Sequence, residues 1–333
     1  VPPVDRRAFL TSATALGLEA ALFRGSPAAA AVRRAPTTHE QLAVAEPMSD
    51  ADLVRALSSA PGALPVEQLR RALVTAQRYY RQARYGLLGN TLPALMEQAE
   101  TYGDPTITCQ VCILASEHLI KIGDDDLARF TAERARAAAE LAGDPISRAN
   151  AAWMLCVTLR HAGRHALGLG LTENAAAELA ELTGLRTDLQ RATYGHMHLT
   201  SAYTAAGLGN AHSAMAHYAE AASMAAKFTG EHPHGMWFFG PGQFEQYGVS
   251  IDNNLGDPGG ALAHARRVNL GALASTERQE RFLVDRTRAE LAAGYTDQAA
   301  DTIREVVLIA PQAVRRPRVR ELARQAGIRS LTD

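Results

Sequence analysis

Six histidines fall between residues 196 and 234: His196, His198, His212, His217, His232 and His234. Imidazole is a common zinc ligand and titrates near neutral pH, so such a cluster could serve a metal site or a proton relay. The spacing argues against a metal. Two ligands from one helix need near-i, i+4 spacing, whereas His196 and His198 point about 200° apart on a helix. His212 and His217 are five residues apart, and His232 and His234 fall in a loop. Cys109 and Cys112 form a lone C-x-x-C inside the helical run 106–122, with no second pair or nearby histidine to complete a zinc site. These two and Cys156 read as buried small apolar residues. No Ser-His-Asp order, G-x-S-x-G, H-E-x-x-H or P-loop is recognisable, and the glycines of 235–242 lack the Lys-Ser/Thr of a phosphate cradle. Glu133, Glu140 and Glu178 read as solvated helix charges. The expectation is a protein that is not an enzyme, with no metal and no cofactor.

The most unusual segment is Glu231-His-Pro-His-Gly-Met-Trp-Phe-Phe-Gly-Pro-Gly-Gln243, three consecutive aromatics in a chain whose aromatic content is 6%. Two readings are open. Trp237, Phe238 and Phe239 either plug a packing defect, or reach into a groove as part of a ligand pocket, where aromatics give contact area at low entropic cost. On the second reading the candidate ligand-binding set is Tyr203, His234, Trp237, Phe238, Phe239, Phe244 and Tyr247.

The elements that must position these residues are helices at a repeating interval. Five times a turn leads to a small residue in an Ala-rich run: Gly123-Asp124 to Ala128, Gly163-Arg164 to Gly168, Gly209-Asn210 to Ala214, Gly256-Asp257 to Ala261, and Gly294 to Ala299. A period near 40 residues is the signature of stacked helical hairpins. Glycine supplies the positive φ that ends one helix, Asp124 and Asp257 can cap the next, and the small residue permits close approach. Ala135, Ala175 and Ala221 repeat that small face two turns later. The expected hairpins are 65–82 with 86–102, 105–122 with 125–142, 145–162 with 165–183, 187–206 with 210–229, 241–255 with 258–268, and 276–293 with 296–309. A capping helix runs from Pro317 to Ala326. The fold class is all-α, a right-handed superhelix of helical hairpins, in domain 63–333. Residues 1–62 are expected to be a Pro/Ala-rich tether with short helices, loosely packed on the first hairpin.

Net charge is −1, with 34 basic and 35 acidic residues, which does not suit a duplex DNA binder. Arg315, Arg316, Arg318, Arg320 and Arg324 read as a solvated face of the capping helix. No stretch approaches the apolar length of a membrane span. Residues 5–31 carry the parts of a twin-arginine export signal, Arg6-Arg7 with Phe9-Leu10 and Ala28–Ala31, but Glu19 and Arg24 interrupt the apolar region.

These repeats resemble tetratricopeptide repeats, best at Gly256-Asp-Pro-Gly-Gly-Ala261 and at Gly294-Tyr-Thr-Asp-Gln-Ala299 with Pro311 beyond it. They depart in their greater length, in missing aromatics and in Gly168 for the usual Ala. A narrower resemblance rests on the order Asp5-Arg-Arg-Ala-Phe-Leu10, Tyr79-Tyr-Arg-Gln-Ala-Arg-Tyr85, Gly123-Asp-Asp-Asp-Leu-Ala128, Phe239-Gly-Pro241 and Arg316-Pro-Arg-Val-Arg320. That order resembles the carboxy-terminal sensor region of actinobacterial Xre-type transcriptional regulators, without their helix-turn-helix domain. The chain then begins at an internal start or is a stand-alone sensor. The resemblance implies a cytoplasmic interaction protein that binds a peptide, small molecule or partner protein in a concave groove, with a homodimer as one option. DNA would be reached only through a helix-turn-helix domain, and the membrane not at all. The alternative is an exported tetratricopeptide-repeat protein.

Overall fold

The computed structural model describes residues 37–43, 45–59, 62–234 and 237–330, so the twin-arginine-like segment lies outside the described residues. Among the described residues the fold is all-α, 79% helical, with consecutive helices packed as antiparallel pairs. The helices are α1 (His39–Ala43), α2 (Asp50–Ser59), α3 (Val66–Arg81), α4 (Tyr85–Tyr102), α5 (Pro105–Ile122), α6 (Asp125–Ala142), α7 (Pro145–His161) and α8 (His165–Thr183). They continue with α9 (Asp188–Gly207), α10 (Ala211–Ala225), α11 (Pro241–Leu255), α12 (Pro258–Ala265), α13 (Thr276–Ala292), α14 (Thr296–Ile309) and α15 (Pro317–Gln325).

One hydrogen bond explains why the punctuation works. At each of the five turns, the N–H of the residue after the glycine donates to the carbonyl five residues back: Asp124 to Leu119, Arg164 to Leu159, Asn210 to Ala205, Asp257 to Asp252, and Tyr295 to Glu290, all at 2.8–3.0 Å. This closes the helix as in a Schellman turn and needs a left-handed residue between, supplied by glycines with φ from +71° to +84°. The side chains of Asp124, Asn210 and Asp257 then cap the following helix. The small residue beyond is buried every time: Ala128, Gly168, Ala214, Ala261 and Ala299.

The described residues divide into two compact units, one of those up to 80 together with 84–158, the other of 81–83 and those from 159 onward. In the first, residues 37–59 are not a loose tether. Leu42, Met48 and Leu53 are buried. The Thr37 N–H donates to Asp104 Oδ2 at 2.7 Å, His39 Nε2 lies 3.1 Å from Asp144 Oδ2 and 3.0 Å from Ser147 Oγ, and the Met48 N–H donates to Thr75 Oγ1. In the second unit the first helices of successive hairpins touch in order, α9 on α11 and α11 on α13, and α13 then meets the capping helix α15.

Two helices end earlier than expected. After α10, Lys227 and Phe228 donate to carbonyls three residues back, tightening the chain out of the α-helix, and α12 closes the same way through Arg267 and Val268. The aromatic segment, expected as a loop, forms an antiparallel ribbon of β1 (His232–His234) and β2 (Trp237–Phe239), paired His232 with Phe239, Pro233 with Phe238 and His234 with Trp237. It is the only sheet among the described residues.

Candidate functional site

The ribbon alternates as a half-buried strand must. Trp237 and Phe239 face inward and are buried, while Phe238 is half-buried beneath the Arg81 guanidinium, 5.7 Å from its ring centre. Glu231, just before β1, holds the ribbon to α11 by accepting from the Gly242 N–H at 2.8 Å and the Gln243 N–H at 3.1 Å. Burial pushes the Glu231 carboxyl above its ordinary value.

The seven candidate residues divide among separate contacts. Phe239 docks on α9 directly over Gly195 and meets Phe228 edge-on. Trp237 meets His196 edge-on at 5.8 Å, His196 meets Tyr247 at 6.1 Å, and Tyr247 meets Tyr203 at 6.4 Å, so three of the seven lie on one ladder. His196, which supplies the missing rung, accepts or donates at 3.4 Å with the Tyr247 hydroxyl. Phe244 belongs elsewhere: it stacks on Tyr218 at 4.2 Å, and Tyr218 meets His264 edge-on. The backbone of His234 pairs with Trp237, and its side chain lies outside the described residues. Of the ladder, Trp237 and Tyr247 are buried and Tyr203 is partly open to solvent.

Tyr203 is where the ladder reaches charge. Arg160 of α7 lies with Cζ 4.9 Å from the Tyr203 ring centre, and Arg281 of α13 with Cζ at 5.8 Å. Arg160 also donates to Thr204 Oγ1 at 3.1 Å. Two turns beyond Arg281, Arg288 reaches Asp285 at 3.4 Å and Asn254 at 3.5 Å, and Asp285 accepts from the Ser250 hydroxyl at 2.5 Å. Between α13 and α15 a cleft of ≈ 460 Å³ is lined by Arg288, Leu291, Ala292, Arg318, Glu321 and Leu322, with Gln325 at its end. Of the C-terminal arginines, Arg315, Arg318, Arg320 and Arg324 are exposed, as expected of a solvated face, whereas Arg316 is half-buried and pairs with Glu280. Arg281 and Arg288 are seven residues apart on one helix, a signal present in the sequence but belonging to no fixed motif.

The histidines converge in a way their spacing hides. His198 Nδ1 and His217 Nδ1 are 3.1 Å apart, and His217 Nε2 lies 2.9 Å from Glu173. Burial, then His217, lowers the His198 pKa to about 4. Even so, no group of three or more His, Cys, Asp or Glu is placed to hold a metal among the described residues. Cys109, Cys112 and Cys156 are buried, and burial raises the first two thiols. No helix among the described residues is long and apolar enough to cross a membrane. Comparison with protein-family models returns no match for this chain, and comparison with curated proteins returns none either.

Proposed function

We propose that this chain is the sensing and interaction region of a bacterial transcriptional regulator, binding a peptide, small molecule or partner protein through the first-helix face of its hairpins. The reading includes a right-handed superhelix whose concave groove those first helices line, and action in the cytoplasm. The observation that carries it is Tyr203, partly open to solvent and flanked by Arg160 and Arg281 from two other helices. An aromatic flanked by guanidiniums suits recognition, and helical-repeat scaffolds characteristically bind along such a face. The resemblance to sensor regions of Xre-type regulators supplies the regulatory context. Binding would act by shifting the population of two hairpin arrangements.

Transcript profiling tests this in the organism that encodes the chain. Deletion and a Tyr203→Ala substitution should alter the same set of transcripts. An unchanged profile on deletion would overturn the regulatory reading.

A further inference from the structure

We infer that His198 of α9 and His217 of α10 together bind a late first-row divalent metal ion through their Nδ1 atoms, with Glu173 of α8 orienting His217 from behind. The site stands apart from the Tyr203 face. His198 points about 200° away from His196 and its aromatic ladder, so the inference does not depend on the proposed regulatory role.

The spacing within the pair is that of two ligands on one ion. Nitrogens each about 2.0 Å from a metal stand about 2.9 Å apart at a right angle and about 3.3 Å apart at the tetrahedral angle. The two Nδ1 atoms are 3.1 Å apart, and with the ring centres at 5.3 Å they form the facing edges of the two imidazoles. The pair also has the outer support that ligating histidines usually carry. In neutral His217 the Nε2–H donates to Glu173 Oε1 at 2.9 Å, which leaves the Nδ1 lone pair directed at His198. His198 is braced in turn by the Tyr194 ring at 4.5 Å, and the Tyr194 hydroxyl donates to Glu220 at 3.1 Å.

With no ion bound, a proton on one Nδ1 bridges the same gap, so metal and proton compete for it. The protein supplies two ligands, and both imidazoles are half-buried, not sealed, so water completes the coordination. Neutral imidazole favours copper, nickel and zinc over magnesium and calcium, and copper binds most tightly along the first row. The ion would join the two helices of one hairpin, with α8 holding it from outside.

The test is Cu(II) titration of the full chain against a competing chelator, read by electron paramagnetic resonance. One ion per chain should show coupling to two imidazole nitrogens, and excess Mg(II) should not displace it. Glu173→Gln should weaken binding about tenfold, as loss of an outer carboxylate does, and His198→Gln and His217→Gln should weaken it further. His212→Gln, at an exposed position on the helix of His217, should change nothing. Circular dichroism establishes that each variant is folded. If both histidine variants unfold, Glu173→Gln decides alone, since that side chain is largely solvent-facing. Copper affinity untouched by Glu173→Gln, or by the folded histidine variants, would overturn the proposal. So would a fall in His212→Gln equal to theirs, or coupling to a single nitrogen.

Discussion

Gly195 and Phe239 are fitted to each other: a Cβ placed on residue 195 would lie 2.1 Å from Phe239 Cζ and 2.6 Å from both Cε atoms. The aromatic ribbon can rest on α9 only because that helix carries no side chain there. Glycine inside a helix is normally a cost of about 1 kcal/mol relative to alanine. Here the sign should reverse. Gly195→Ala is expected to destabilise the second unit by about 1–3 kcal/mol through overpacking, measured by urea unfolding. Phe239→Leu should relieve part of the penalty in the double variant, giving a clear coupling energy. An alanine variant more stable than the parent would show that the ring does not sit over residue 195.

Trp237 and Trp153 offer a matched comparison, since both are buried, one in the ribbon and one mid-helix in α7. Replacing either by alanine is expected to cost about 3 kcal/mol or more, as large-to-small core changes do. Trp237 would then serve the ligand face indirectly, by supporting His196 and Tyr247. If Trp237→Ala leaves thermal unfolding unchanged while abolishing ligand binding, Trp237 is a pocket wall and not a plug.

Stability should fall on mild acidification. Burial lowers the His118 pKa to about 4, against about 6.5 for an unfolded histidine. Its contribution is therefore complete above the unfolded value and is lost as pH drops from about 6.5 toward 4. Linkage gives a loss of about 2 kcal/mol between pH 7 and pH 5 for one such histidine, and His198 acts in the same direction. Urea midpoints at the two pH values measure it. His118→Leu should flatten the slope, and identical slopes in variant and parent would remove His118 as the cause.

Asp104 carries two duties. Its Oδ1 caps α5 by accepting from the Thr106 and Ile107 N–H groups at 2.9 and 3.1 Å, and its Oδ2 accepts from Thr37. Asp104→Ala should cost about 1–2 kcal/mol as a lost cap, and should also speed amide exchange at Thr37. Faster exchange confined to the start of α5, with Thr37 unaffected, would disconnect the two roles.

The helices were legible to the extent that their signals were local. The limits 105–122, 125–142 and 165–183 expected from Gly-Asp-Pro and Gly-Arg punctuation coincide with α5, α6 and α8, because a Schellman turn and a capping aspartate involve only neighbouring residues. The ribbon was not legible: strands of three residues, flanked by Gly and Pro, are too short for alternation to register. Nor was the meeting of His198 with His217, or of Arg160 with Arg281 over one tyrosine. The first joins the two helices of one hairpin and the second joins three hairpins, and chemistry sought at fixed spacing does not reach across a turn. Within the candidate set, Tyr203 and Tyr247 stand as neighbours, whereas Phe244 turns toward Tyr218.

Asp104 and Asp144 occupy the same place in consecutive repeats, each between a left-handed glycine and a proline. Both also grip one short strand of chain, Asp104 through the Thr37 N–H and Asp144 through His39. Residues 37–39 thus act as a gauge laid across two repeats, satisfied only when the caps are the right distance apart. Solenoids held by nearest-neighbour contacts tend to fray one hairpin at a time. A chain segment read by two caps at once forbids that sequence of events here, since α5 and α7 must release it together. The amino-terminal repeats should therefore open as a single step, with the far end of the chain left to unzip by degrees.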